Sequence, residues 1–232
     1  MQAAGPGKRL LPEVFWPFPP AGPESAAEFI TGRCHEHISM EKQSILATGR
    51  LLLRPYTLAD ARAVQRLCGD YAVAATTLLP HPYPDGLAEA WIASLREGIE
   101  RGDAAAFAVT LSGEGTLIGG VRLRIDPAHA RGELGFWVAK HCWGRGYATE
   151  AARAVIEYGF SVLGLHRIYA MHFSRNPASG RVMEKCGMVH EAHLREHDRK
   201  WGIFENVDVW GILHDEWRER CTVPAIRECR VR

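Results

Sequence analysis

The order of patterned segments predicts an α/β fold on one mixed, mostly antiparallel twisted sheet of about seven strands flanked by helices. Three observations carry that expectation. Residues 104–111 and 117–125 are β-rich apolar runs separated by Ser112-Gly-Glu-Gly115, a hairpin signature, and residues 126–132 turn the chain into a third run at Glu133. That third run leads through a glycine loop into a helix and then into another strand, which implies one parallel pair with a right-handed crossover. Two more strand patterns, near residues 188–196 and 206–213, close the sheet.

The elements follow in order. Residues 1–45 form an N-terminal tail whose stretch from Leu11 to Pro23 holds five prolines, too many for a regular helix or a central strand. Three readings of it stand side by side: disorder, docking of Phe15, Trp16 and Phe18 on the domain or a partner, or a segment preceding a start at Met40. The domain is expected over residues 46–217, with a basic tail at 218–232. It opens on a strand at 48–55 that Pro55 ends. Thr57-Leu-Ala-Asp60 reads as a capping-box variant that opens a helix to about Cys68. The segment from Leu79 to Pro84 is a loop stiffened by prolines. From Asp85 the residues Leu87, Ala90, Trp91, Leu95 and Ile99 recur at helical spacing until Gly102. The helix from Tyr147 turns Ala151, Ala152, Val155, Ile156 and Phe160 to one face, and Gly164 stops it. A strand at 167–173 comes next. Asn176-Pro-Ala-Ser then starts a helix that ends at Cys186-Gly187, and residues 198–204 are expected to be a loop.

Composition narrows the classes. With 232 residues, of which 47% are hydrophobic, the chain is long enough for one full domain plus tails. A net charge of +1 offers no electrostatic case for a nucleic-acid partner, and no apolar run is long enough to span a bilayer. A signal peptide would need an apolar core after Lys8 and Arg9, which Pro12, Glu13 and Pro17 interrupt. Six scattered cysteines without a Cys-x-x-Cys pair point to free thiols in a reducing, cytoplasmic compartment.

The most informative stretch is Glu133-Leu-Gly-Phe-Trp-Val-Ala-Lys-His-Cys-Trp-Gly-Arg-Gly-Tyr-Ala-Thr-Glu-Ala151. A strand, a glycine loop and a new helix N-terminus make a phosphate cradle, because glycine admits close approach and the free N–H groups favour negative charge. A Walker loop is absent, and the third glycine of a dinucleotide fingerprint is replaced by Thr149. This stretch resembles the acetyl-CoA pyrophosphate loop of the GNAT acyltransferases, and more narrowly their RimJ/RimL-like branch. Arg50-Leu-Leu-Leu-Arg-Pro55, Asn176-Pro-Ala-Ser with Glu184-Lys-Cys-Gly-Met188, and the ending Glu205-Asn-Val-Asp-Val-Trp-Gly-Ile-Leu213 are similar to that branch too, in the right order.

The resemblance implies direct acetyl transfer from acetyl-CoA to an amine, with no metal. It assigns the pantetheine arm to the backbone of Phe136, Trp137 and Val138, beside a bulge for which Gly135 is suited. The pyrophosphate falls to Trp143, Gly144, Arg145, Gly146, Tyr147, Ala148 and Thr149. His141 stands where the family usually has Gln or Arg, and Arg145 could partly supply the lost cation. Glu133 is the candidate base, against the alternative of a structural pair with Arg122 or Arg131. The family's usual tyrosine acid is replaced by Met183, which leaves Ser179 as the candidate acid, or a simple first-turn hydroxyl. Asn176 is a candidate ligand of the pantetheine arm, or a turn former.

By the same analogy the acceptor lies between the loop around His81 and Tyr83 and the late loop from Asp198 to Phe204, which carries Trp201. A protein N-terminus of the ribosomal-protein type ranks first, with an aminoglycoside or polyamine as the small-molecule alternative. The protein is expected as a monomer or homodimer. Cys142 has no base placed for it, and His190 and His193 are expected on opposite faces of a strand, which speaks against metal. A silent acyl-CoA sensor and a scaffold remain the readings from other classes.

Overall fold

The computed structural model describes residues 44–222. Most of the N-terminal tail and residues 223–232 lie outside these, and so do the readings attached to them. Eight strands form one sheet in the order β1-β2-β3-β4-β5-β6-β8-β7. They are β1 (Leu46–Ala47), β2 (Leu51–Arg54), β3 (Ala104–Leu111), β4 (Leu117–Asp126), β5 (Arg131–Val138), β6 (Arg167–Phe173), β7 (Val189–Lys200) and β8 (Ile203–Leu213). The eighth strand beyond the expected number is the two-residue β1 at the edge. Among the described strands only β5 and β6 pair in parallel, and helix α4 (Tyr147–Ser161) makes the crossover between them.

The sheet is buried on both faces near its centre, and strand alternation explains how. In β3, Ala105, Phe107 and Val109 point into a core shared with α4, while Ala106 and Ala108 point into a second core on the opposite face. The first core gathers Leu123, Val155, Ile156, Ile168 and Ile212, with α5 (Pro177–Lys185) beside α4 and Trp217 of α6 (His214–Thr222) packed at its margin. The second gathers Val64 of α1 (Ala61–Cys68), Val73 of α2 (Tyr71–Ala75), and Trp91 and Leu95 of α3 (Leu87–Arg101). Ahead of α1, the Asp60 carboxylate accepts from the Thr57 N–H at 2.8 Å and pairs with Arg54 at 2.7 Å. That ties the expected capping turn to the end of β2.

The short helix α2 falls where the sequence carried no expectation; Asp70 caps it by accepting from the Ala72 N–H at 2.8 Å. Three expectations need correction. Residues 198–204 are a hairpin rather than a loop: Asp198 pairs with Glu205 and Lys200 with Ile203, and the turn is Trp201 and Gly202, with φ of 50° and 85°. Its charged residues hid the strand character of Ile203 and Phe204. The bulge expected at Gly135 is absent, since the β4–β5 register runs without a shift from Gly119↔Val138 to Asp126↔Arg131. Finally, His190 and His193 do not face apart. A register shift between His190 and Ala192 brings both onto Asp208, at 3.2 and 2.8 Å. Burial opposes ionisation of Asp208, but hydrogen bonds from His193, Ser174 and His190 outweigh it and hold the carboxyl at about 2.

Candidate functional site

β5 is paired with β4 along its whole length, but with β6 only from Arg131 to Leu134. Beyond Leu134 the two strands part. Backbone N–H groups alternate sides along a strand, and that of Ala139 is directed at Ile118 on the β4 side at 2.8 Å. Those of Phe136 and Val138 therefore point into the opening. A hydrogen-bonding edge is left open beside β5 without any bulge. Into this opening comes a groove of about 300 Å³ lined by Phe136, Trp137, Val138, Trp143, Gly144, Gly146, Tyr147, Ala148, Thr149 and, from α5, Asn176.

The loop at the mouth of that groove is built from glycine and one buttress. Gly144 and Gly146 sit at φ of 74° and 81°, a region that L-residues enter only at a cost. Their conformation delivers the chain into α4 with the first-turn N–H groups free to face an anion. Behind the loop, Arg50 donates to the Arg145 carbonyl at 3.0 Å and lies 4.7 Å over the Tyr147 ring. Glu150, in the first turn of α4, accepts from the Thr48 hydroxyl at 2.6 Å and pairs with Arg50 at 2.6 Å. The Glu of the Tyr-Ala-Thr-Glu-Ala run thus locks the helix start to the turn between β1 and β2. The Trp143 indole N–H donates to the Val138 carbonyl at 2.7 Å, closing the loop onto the end of β5.

A second hollow, of about 90 Å³, opens between residues 76–79, β5, β6 and the β7–β8 hairpin; Glu133, Phe136, Met171, His172, Ser179 and Asp198 are among its walls. Glu133 stands in a cross-strand row, with Arg124 its neighbour on β4 and Tyr169 its neighbour on β6. Both neighbours meet the same carboxylate oxygen, Oε2: Arg124 at 2.6 Å and the Tyr169 hydroxyl at 3.2 Å. The structural pair is real, then, but its partner is Arg124. Arg131, one of the two expected partners, instead pairs with Asp126 at 3.0 Å. Burial opposes the charge on Arg124, and Glu133 outweighs it, so its pKa is raised. Burial, reinforced by the Glu133 charge, also raises the Tyr169 phenol and keeps it protonated.

The two hollows share Thr76, Thr77, Phe136 and Ser179. Asn176 donates from Nδ2 to the Ser179 hydroxyl oxygen at 2.9 Å. That bond occupies an acceptor site on the oxygen and leaves its proton to point elsewhere. Met183 is buried in the wall and carries no exchangeable proton. The His172 ring is held from both sides, with Nδ1 2.8 Å from the Phe173 carbonyl oxygen and Nε2 3.1 Å from the Trp210 indole nitrogen.

Other expected residues are placed as follows. The Trp137 side chain is buried in the core under α1 and α3, so this residue meets the groove through its backbone. His141 and Arg145 are exposed and line neither hollow. Cys142 is buried beneath the loop, and burial pushes its thiol up, away from nucleophilic use. His81 and Trp201 come together with Tyr71, which stacks on Trp201 at 5.4 Å and meets His81 edge-on at 5.3 Å. Tyr83 packs against the α1–α3 core instead. None of His81, Tyr83 and Trp201 lines the inner cavity. Asp198, at the start of the expected 198–204 acceptor segment, does line the inner cavity, whereas sequence reading missed Thr76 and Thr77 as walls, and Arg181 and Lys185 as cations on the groove. Only tertiary folding brings the two threonines in; the two cations were legible as basic residues one turn apart on α5.

Among the described residues no group of three or more His, Cys, Asp or Glu side chains is placed to hold a metal, and no helix is long and apolar enough to cross a membrane. Residues 50–189 match the family model described as the acetyltransferase (GNAT) domain. The chain belongs to the GNAT acetyltransferase family. It is an acyltransferase, and GNAT enzymes use acetyl-CoA. The uncharacterized N-acetyltransferase YnaD of Bacillus subtilis is 32% identical over 173 residues, which cover 74% of this chain and 98% of that protein. A GNAT acetyltransferase from Bacillus anthracis superimposes with a TM-score of 0.66 at 27% identity, over 74% of this chain and 99% of the other. Spermidine N-acetyltransferase from Vibrio cholerae, solved in complex with CoA and spermine, gives 0.65 at 26% identity, over 74% and 99%.

Proposed function

We propose that this GNAT chain moves the acetyl group of acetyl-CoA directly onto a primary amine of a small molecule, with Glu133 as base and Ser179 as acid. One observation carries the reading: the glycine-loop groove and the inner cavity meet at Phe136 and Ser179, and Glu133 lines the cavity from the other side. Thioester carbon, attacking nitrogen and leaving sulfur must converge at one point, and this junction offers it.

Each part then has a task. The loop from Trp143 to Thr149 and the α4 N-terminus hold the pyrophosphate, with Arg181 and Lys185 adding positive charge where His141 and Arg145 do not reach. The open edge of β5 receives the pantetheine amides, and an N–H there faces the thioester oxygen as charge develops on it. Asn176 positions Ser179 and keeps its own Oδ1 for the arm. An alkylammonium must lose a proton before attack; Oε2 of Glu133 is engaged, so Oε1 is assigned to take it, directly or through water. The Ser179 hydroxyl protonates the departing thiolate. A thiol with an ordinary pKa of ~8.5 is a tolerable leaving group, so this help is modest.

A small acceptor is preferred here over the protein N-terminus ranked first from sequence. Lys200 donates from Nζ to the Leu79 carbonyl and lies 4.3 Å over the Trp201 ring, drawing the hairpin tip against the segment that walls the cavity. A slender chain end fits under such a roof better than a folded surface. The spermine bound by the Vibrio cholerae relative supports the same preference. His81 and Trp201, with Tyr71, form the outer rim an acceptor passes. The free thiols Cys68, Cys142 and Cys186 suit the expected reducing cytoplasm. The test is thiol release from acetyl-CoA against a panel of small amines and N-terminal peptides. Release that depends on a small amine supports the reading; release with peptides alone overturns the acceptor, and no release with any amine overturns the transferase.

A further inference from the structure

We propose that Asp198 is the specificity-determining carboxylate of the inner cavity, and that the preferred acceptor carries a second ammonium, spaced from the reacting amine by an apolar chain, which Asp198 receives. The inference rests on the transferase reading and adds the substrate class. Of the carboxylates at least partly buried among the described residues, all but Asp198 have a protein partner. Glu133 has Arg124, Glu205 has Arg175, Asp208 has two histidines, Glu150 has Arg50 and Asp60 has Arg54. Asp103 pairs with Arg101, Asp126 with Arg131, and Asp70 and Glu216 accept from backbone N–H groups. Asp198 lines the cavity with no hydrogen bond or ion pair to its carboxylate, and the exposed His197 acts on it only through space, more weakly than burial does.

Leaving a carboxylate half-buried and unpartnered costs stability, because desolvation is not repaid. Burial accordingly holds the Asp198 carboxyl above its ordinary range. The backbone goes out of its way to put it there. Between Leu194↔Val207 and Asp198↔Glu205 the register shifts by two residues, Glu196 takes φ of 50°, and its N–H is held by the Asn206 side chain at 2.8 Å. Regular pairing would have set Glu196 opposite Glu205. A bulge that re-aims the chain beside a cavity is a recurrent device of functional sites.

The remaining walls say what the ligand looks like between its charges. Leu79, Phe136, Met171, Phe173, Met183 and Val207 are apolar and give a methylene chain its contacts. Glu133 on β5 and Asp198 on β7 line this one cavity from the two sides of the splay. An α,ω-diamine places one nitrogen at the proton acceptor and the other on the free carboxylate. An acceptor with a single amine leaves Asp198 unsatisfied.

The experiment compares kcat/KM for 1,4-diaminobutane and butylamine, with acetyl-CoA at saturation, in the full chain and in Asp198→Asn and Asp198→Glu. A charge-assisted hydrogen bond in such a site corresponds to roughly a tenfold to hundredfold preference for the diamine. That preference should be expressed in KM, collapse towards unity in Asp198→Asn and persist in Asp198→Glu, while the acetyl-CoA KM reports that each variant is folded. A wild-type ratio near one, or a diamine preference that survives in Asp198→Asn, overturns the inference and leaves the transferase standing. A dipeptide with lysine in second place, used better than the diamine, overturns the small-molecule class. Absence of release with every amine overturns the transferase reading itself.

Discussion

Replacing Glu133 by Gln keeps the side-chain volume and removes the proton acceptor. The size of the effect follows from the acceptor's own chemistry. A primary alkylamine has a pKa of ~10.4, so at pH 7.5 only about one molecule in a thousand is neutral and able to attack. A base that takes the proton inside the complex recovers up to roughly 10³ in rate, the middle of the range for general acid–base groups. The substitution also breaks the pair with Arg124. The Arg124 side chain is 35% exposed, so water replaces much of what is lost, and the cost is about 1 kcal/mol. We expect kcat for an alkylamine to fall about a hundredfold or more, with the acetyl-CoA KM within about twofold of wild type. The assay is thiol release at saturating acetyl-CoA. The discriminating arm uses an arylamine, already neutral at pH 7.5, for which the loss should shrink to a few-fold. A kcat within threefold of wild type for the alkylamine, or an equal loss for both amines, would refute the assignment of Glu133 as base.

Three further outcomes are expected. Ser179→Ala should lower kcat about three- to tenfold without moving the acetyl-CoA KM, and the deficit should narrow as pH rises past the thiol pKa of ~8.5; a deficit that is constant with pH denies Ser179 the acid role. Gly146→Ala forces a residue at φ of 81° towards an unfavourable region and brings its Cβ to 3.4 Å from Arg50, so the acetyl-CoA KM should rise severalfold with kcat for the bound complex little changed; an unaltered KM would mean the loop tolerates another path. The Asp208 carboxyl titrates at about 2 in the folded protein, below its ordinary value, so its contribution is complete above about pH 4 and lost as pH falls towards 2. The melting temperature of Asp208→Asn should therefore fall less between pH 4 and pH 2 than that of wild type, and parallel acid profiles would show that the histidine pair contributes nothing.

Local signals made most of the fold legible. The β3–β4 hairpin, the Tyr147 helix stopped by Gly164 and the strand–helix–strand unit each depend on periodicity and turn residues within one segment, and each stands as expected. What escaped was set by partners distant in sequence. The Asp198–Lys200 strand is charged throughout and pairs because Ile203 to Glu205 folds back on it. Nothing local tells a strand rule that His190 and His193 will meet one carboxylate, since a single bulge reverses the alternation. The site divided in the same way. The glycine loop and Glu133 were visible in one stretch of sequence, whereas the choice of Arg124 over Arg122 or Arg131 needed the cross-strand register. The acceptor wall, drawn from residues 76–79, β6 and the tip of β7, has no contiguous signature at all.

The parting of β5 from β6 after Leu134 divides labour along the chain. The loop from Trp143 to Thr149 with its Arg50 buttress, to which we assign the pyrophosphate, hangs on β5, α4 and the turn before β2, while Arg181 and Lys185 face the same groove from α5. Much of the acceptor side is carried across the seam by β6, β7 and β8. The two parties are joined in the sheet through four residue pairs, Arg131↔Arg167 to Leu134↔Ala170. The outer hairpin can therefore be recast, in length, bulge or charge, without disturbing the donor's seat. One acyl-donor chassis with an exchangeable acceptor face is the architecture expected of a lineage that meets many different amines.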